Sequence, residues 1–180
     1  MIGKHIAAFL FILSLLAAGC KNDDPEVAPI DQLPPATQTG AYTFGCLVNG
    51  EAFVPDNTND ITAIYQGGVL QMGAEANTQD KTQGLGLVLR ANMIQEQQYS
   101  LISTIDSSAN FNDAKYDVNQ NSYTKICRYE YEKLIEGTLT ITRFDDKEYI
   151  ASGTFEFTTA TEGCDTIRVT DGRFDIPYIP

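Results

Sequence analysis

Carboxylates and thiols are the side chains in this sequence whose types and spacing have chemistry to offer. The single histidine is His5, inside an apolar N-terminal stretch that reads as removable. Without it, neither a Ser-His-Asp nor a Cys-His centre can be assembled, and His-ligated zinc or iron is excluded. Glu148, Glu156, Asp171 and Asp175 are the carboxylates that would have to supply the acid and base of a hydrolase. Alternation sets Glu156 opposite Phe155 and Phe157, hence toward solvent. Asp171 and Asp175 fall in turn and strand-end positions, so no catalytic residue is expected. Asp56-Asn-Thr-Asn-Asp60 offers oxygen ligands at alternate positions, as a calcium loop does. Its sixth position is Ile61 where an EF-hand needs Gly, and its twelfth is Gly67 where it needs Glu. It reads as a polar turn, and neither a metal nor a cofactor is expected.

The fourth thiol, Cys20, has a different setting. Met1-Ile-Gly-Lys4 is followed by an apolar run from Ile6 to Leu16 and then by Ala17-Ala-Gly-Cys20. A basic start, a short apolar stretch and small residues before a cut site make a secretory signal. The run falls short of the roughly 20 apolar residues that span a bilayer. The ending resembles the lipobox of bacterial lipoproteins, with Ala17 where Leu is commoner. The resemblance implies cleavage after Gly19 and a diacylglyceryl thioether on Cys20. Lys21-Asn-Asp-Asp24 resembles the surface-export signal of Bacteroidota lipoproteins. It implies a protein on the outside of the outer membrane, held through lipid at Cys20.

The expected domain organisation is a signal peptide over 1–19, a tether over 20–40 and one folded domain over 41–180. The tether holds Pro25, Pro29, Pro34 and Pro35, four of seven prolines. It has no apolar periodicity and reads as an extended, disordered spacer. A formal charge of −12 argues against nucleic acid as a partner, because phosphate binding needs a basic face.

Period-2 alternation dominates the rest. Gly137–Phe144, Tyr149–Thr158 and Asp165–Ile176 read as three consecutive strands. In the last, Ile167 and Val169 hold one phase and Phe174, Ile176 and Tyr178 the other, which predicts a β-bulge at Gly172 with a left-handed backbone there. Thr43–Val48, Asn49-Gly50 and Glu51–Val54 make a hairpin. Ile61–Tyr65 and Leu70–Ala74 pair about Gly67-Gly68. Asn77–Gln83 and Asp106–Asn112 read as loops. Gly84–Leu89, Gln97–Ile102, Ala114–Val118 and Ser122–Tyr129 read as strands, and Arg128–Ile135 has room for one helical turn. Gly84 and Gly86, opposite the leucine face, leave space for a close approach: a ligand wall, tight packing or barrel curvature. Tyr116, Tyr123, Tyr129 and Tyr131 crowd in sequence, either as a recognition face or as half-buried strand-end tyrosines. The fold class is therefore all-β, an antiparallel meander of nine or ten strands closed as a barrel or a sandwich.

Three cysteines remain for an oxidising compartment. Cys46 lies in an apolar strand, so Cys127 and Cys164 are paired. Four pieces, Leu33–Gly40, Thr43–Gly50, Ser152–Phe157 and Thr170–Asp175, together resemble a family of small Bacteroidota lipoproteins of unknown function. That resemblance implies a surface-directed all-β lipoprotein and carries no catalytic residues across. Three functions compete. The first is a non-enzymatic, monomeric surface module that binds an envelope protein or a glycan. The second is a lipocalin-like carrier of a small apolar ligand. The third is a carboxylate hydrolase.

Overall fold

Alternating apolar side chains need a second layer to cover them, and here two antiparallel sheets cover each other. A computed structural model describes residues 27–91, 94–117 and 119–180. Cys20, the signal sequence and the start of the tether lie outside the described residues, as does Val118. The strands are β1 (Thr43–Val48), β2 (Glu51–Phe53), β3 (Ile61–Gln66), β4 (Val69–Asn77), β5 (Lys81–Arg90) and β6 (Gln98–Leu101). They continue with β7 (Ser107–Asp117), β8 (Ser122–Tyr129), β9 (Leu134–Asp145), β10 (Ile150–Thr159) and β11 (Ile167–Pro177). One sheet has the order β2-β1-β11-β10-β9-β6 and the other β3-β4-β5-β7-β8. The closure is a sandwich rather than a barrel.

The inner faces meet in one core. Phe44, Phe53, Phe155 and Phe174 reach in from the six-stranded sheet, and Leu85, Leu87, Leu89 and Phe111 from the other. These rings and branched chains pack between the sheets, and the sandwich is not the meander barrel that the lipocalin-like reading assumed. The described chain has eleven strands. β7 begins at Ser107, so the strand expected from Ala114 takes in most of the segment read as a loop at Asp106–Asn112. There Ala109 and Phe111 are fully buried while Asn110 and Asn112 point outward, and the polar half of that alternation hid the strand.

The bulge in β11 falls where the phase switch put it. Phe155 pairs with Gly172 and Phe157 with Val169, so one residue of β10 faces two of β11. The left-handed angle is carried by Asp171, with φ of +54°, and not by Gly172. Gly172 answers a steric demand instead: a Cβ there would lie 2.5 Å from the Phe155 carbonyl oxygen and 2.6 Å from its ring. The Asn49-Gly50 hairpin has φ of +51° and +87°, as a type I′ turn needs. The helical turn expected within Arg128–Ile135 is a 3-10 helix over Tyr131–Lys133, and two more 3-10 turns lie at Pro29–Gln32 and Thr58–Asp60.

Cross-links tie the layers. Cys127 on β8 bonds Cys164 in the loop before β11, and Cys46 is a buried free thiol whose pKa burial pushes up. After β11 the chain crosses to the edge of the other sheet. There the Tyr65 amide donates to the Ile179 carbonyl at 2.8 Å, and the Ile179 amide to Ala63 at 3.0 Å.

The segment read as the end of a spacer is packed from Leu33 onward. Leu33 is 8% exposed, and Pro34 lies over Gly45, where a Cβ would come within 2.6 Å of its ring. The strap then crosses the outer face of the six-stranded sheet to Asp175, which is fully buried. The Asp175 carboxylate accepts from the Thr37 hydroxyl at 2.7 Å and from the amides of Thr39 and Gly40 at 2.8 Å. It also accepts from the Ala41 amide at 3.2 Å and from the Ser152 hydroxyl at 2.7 Å. Composition missed this because the attraction is to one carboxylate 134 or more residues away, not to apolar surface.

Candidate binding site

The outer face of the five-stranded sheet holds a dish of about 440 Å³. Antiparallel register builds it from cross-strand rows. One row runs Thr62, Gly73, Gly86, Asn110. The next runs Glu75, Gly84, Asn112 and then Arg128 on β8. With strands ~4.8 Å apart, Glu75 and Asn112 flank Gly84 across roughly 10 Å. The rim beside Thr62 is the turn before β3. Its Asn57 side chain accepts from the Asn59 amide at 2.9 Å and donates to Asp60 at 2.6 Å. This holds Asn59 and Asp60 against the dish.

The three glycines differ in kind. A Cβ on Gly73 would meet the Leu85 carbonyl oxygen at 2.5 Å, so packing alone explains it. A Cβ on Gly86 would meet the Asn110 amide group at 2.9 Å, and the bare backbone lets that amide lie flat. Gly84 has no such reason: a Cβ there would find only Glu75 Cγ at 3.9 Å and Asn112 Nδ2 at 4.0 Å. A mid-strand glycine with room for a side chain forfeits packing and entropy. What it leaves is backbone open to a ligand between an acidic side, Asp60 and Glu75, and an amide side, Asn110 and Asn112. Such a site offers acceptors opposite groups that both donate and accept. That suits a molecule with several hydroxyls.

Of the four carboxylates named for a hydrolase, Asp175 and Glu148 stand apart from the other two. Asp175 is occupied by the strap, and burial, which would raise its pKa, is outweighed by the hydroxyls of Thr37 and Ser152 and the amides of Thr39 and Gly40. These hold it well below the usual carboxylate range. Glu148 sits in the β9–β10 turn, its amide donating to Asp145 at 2.9 Å. Glu156 and Asp171 line one cleft on the six-stranded sheet. The tyrosines crowded in sequence also separate. Tyr129 is buried against Phe111, its hydroxyl donating to the Asp165 carbonyl at 2.6 Å. Tyr123 is exposed, Tyr131 lies in the 3-10 turn and the Tyr116 side chain is outside what is described. A different aromatic group forms at one end of the sandwich, where Phe144 stacks on Tyr178 at 5.1 Å with Tyr65 and Tyr149 edge-on. Its members come from three segments, around Tyr65, Phe144–Tyr149 and Tyr178, so no single local pattern announces it.

Sequence reasoning found Gly84 and Gly86, weighed Asn59 and Asp60 only as part of a calcium loop, and missed Thr62, Glu75, Asn110 and Asn112. The available signal was polar residues at every second position of three strands, legible only once their register is known. Residues 44–177 match the family described as Domain of unknown function (DUF6252). The chain belongs to this family. No curated protein and no solved structure matches it. The DUF6252 match runs from the start of β1 to the end of β11 and contains the dish. The strap before β1 lies outside it, yet docks onto a DUF6252 strand through Asp175.

Proposed function

We propose that this protein is a lipid-anchored module on the outer-membrane surface that binds a glycan without turning it over. The dish on β3, β4, β5 and β7 is the binding site. The single observation that carries the reading is Gly84, a bare rung with room for a side chain, set between carboxylates and amides. Sugar hydroxyls both donate and accept, and Glu75, Asp60, Asn110 and Asn112 answer both roles. The anchor and the outward orientation rest on Cys20 and on Lys21-Asn-Asp-Asp24. An acidic, self-repelling protein is also suited to standing free at a surface.

The test is a glycan array probed with the full-length lipoprotein in detergent. A subset of glycans should be retained and recovered unchanged, and Glu75→Gln with Asn112→Ala should abolish retention. Folded protein that retains no glycan, or that releases shortened products, overturns the proposal.

A further inference from the structure

The strap already uses the outer face of the six-stranded sheet as a surface for extended polypeptide. Asp175 collects its amides and hydroxyls. Arg173 Nη1 donates to the Pro34 carbonyl at 3.4 Å, and Arg143 Nη1 donates to that of Gln38 at 2.5 Å. The same face continues past the strap as three adjoining clefts. The first, about 530 Å³, starts at the strap residue Ala36 and shares Thr138 and Glu156 with the second, about 440 Å³. The second shares Arg168 and Thr170 with a third, also about 440 Å³, which ends at the Asn49-Gly50 turn. One channel therefore runs on from the strap across β9, β10 and β11.

We infer that this channel receives an extended polypeptide segment of a partner protein, on the face opposite the proposed glycan dish. The chemistry repeats that of the strap. Glu156 is placed to take backbone amides as Asp175 does, Arg168 to donate to carbonyls as Arg143 and Arg173 do, and threonine hydroxyls stand between them. Glu136 and Glu156 outnumber Arg168 along the second cleft, so the segment that fits carries Lys or Arg. Continuity with an occupied peptide surface and this charge balance single out polypeptide over other occupants. The inference does not depend on the glycan reading.

The test uses the full-length lipoprotein in detergent against a displayed library of random twelve-residue peptides. Peptides containing Lys or Arg should be enriched. Their affinity should fall at least about tenfold in Glu156→Gln with Arg168→Gln and stay unchanged in Gly84→Thr on the opposite face. Both channel residues are exposed, so the double variant should keep its thermal midpoint, which is measured alongside. No enrichment over an unrelated β-sandwich overturns the inference. So does enrichment that survives the double substitution, or that is lost equally in Gly84→Thr.

Discussion

Replacing Asp175 with Asn should release the strap and cost the fold a large part of its stability. The carboxylate accepts from the hydroxyls of Thr37 and Ser152 and the amides of Thr39, Gly40 and Ala41 while itself fully buried. An Asn amide keeps one acceptor oxygen and points two N–H donors at donors. Breaking a buried charged group's bonds while its partners remain costs about 3–5 kcal/mol. A domain of this size has roughly 5–15 kcal/mol in all. The thermal midpoint should fall by about 8–15 °C. The pH dependence gives a second reading. Asp175 is held charged in the fold well below the usual carboxylate range, while in the unfolded chain it titrates near ~3.9. Its contribution is complete above roughly pH 4 and is lost as the pH falls below that. The gap between wild type and Asp175→Asn should therefore be constant from neutral pH down to about 5 and shrink on further acidification. The assay is urea unfolding of both proteins at stepped pH. A loss under about 1 kcal/mol at pH 7, or a gap that does not shrink in acid, would refute the reasoning.

Three other perturbations have defined outcomes. Cys127→Ser with Cys164→Ser opens a bridge of sequence separation 37 and should cost roughly 3–4 kcal/mol, read as a lower urea midpoint that added reductant reproduces in wild type. Ala at Gly73 forces a Cβ onto the Leu85 carbonyl and should cost about 1–3 kcal/mol, measured by calorimetry. Tyr149 sits at φ of +54° with its ring against Tyr178 at 5.8 Å. Gly there gains about 1 kcal/mol of backbone ease and loses a similar ring contact, so its thermal midpoint should barely move, whereas Tyr149→Val loses the ring contact, adds the strain of a β-branched residue at positive φ and should melt earlier.

The all-β class was legible because the strands are two-faced and long, while the choice of sandwich over barrel was not. Phe155, Phe157, Leu139 and Ile141 announce their inner face by spacing alone, and the phase switch in β11 announces the bulge. The disulfide followed from elimination among three thiols. Two classes of feature stayed hidden. The first is the strap, whose Thr37, Thr39 and Gly40 bind through amides and hydroxyls to a carboxylate far along the chain. Pro-rich composition carries no trace of that. The second is the dish, where Glu75, Gly84 and Asn112 become neighbours through register between strands. Sequence gave the glycines and no way to see what flanks them. Even the handling of Asp171 and Gly172 reversed roles, because steric closeness to Phe155, not backbone freedom, selects the glycine.

The most direct measurement is glycan affinity of full-length Gly84→Thr against wild type, by titration calorimetry with an array-selected glycan, beside the thermal midpoint of each. A Cβ fits at Gly84 without meeting anything closer than 3.9 Å, and β-branched residues favour strands. The midpoint should hold or rise while binding falls at least about tenfold, since the added group occupies the sugar's place. Equal affinity in the two proteins, with both folded, would contradict a ligand seated on the bare rung.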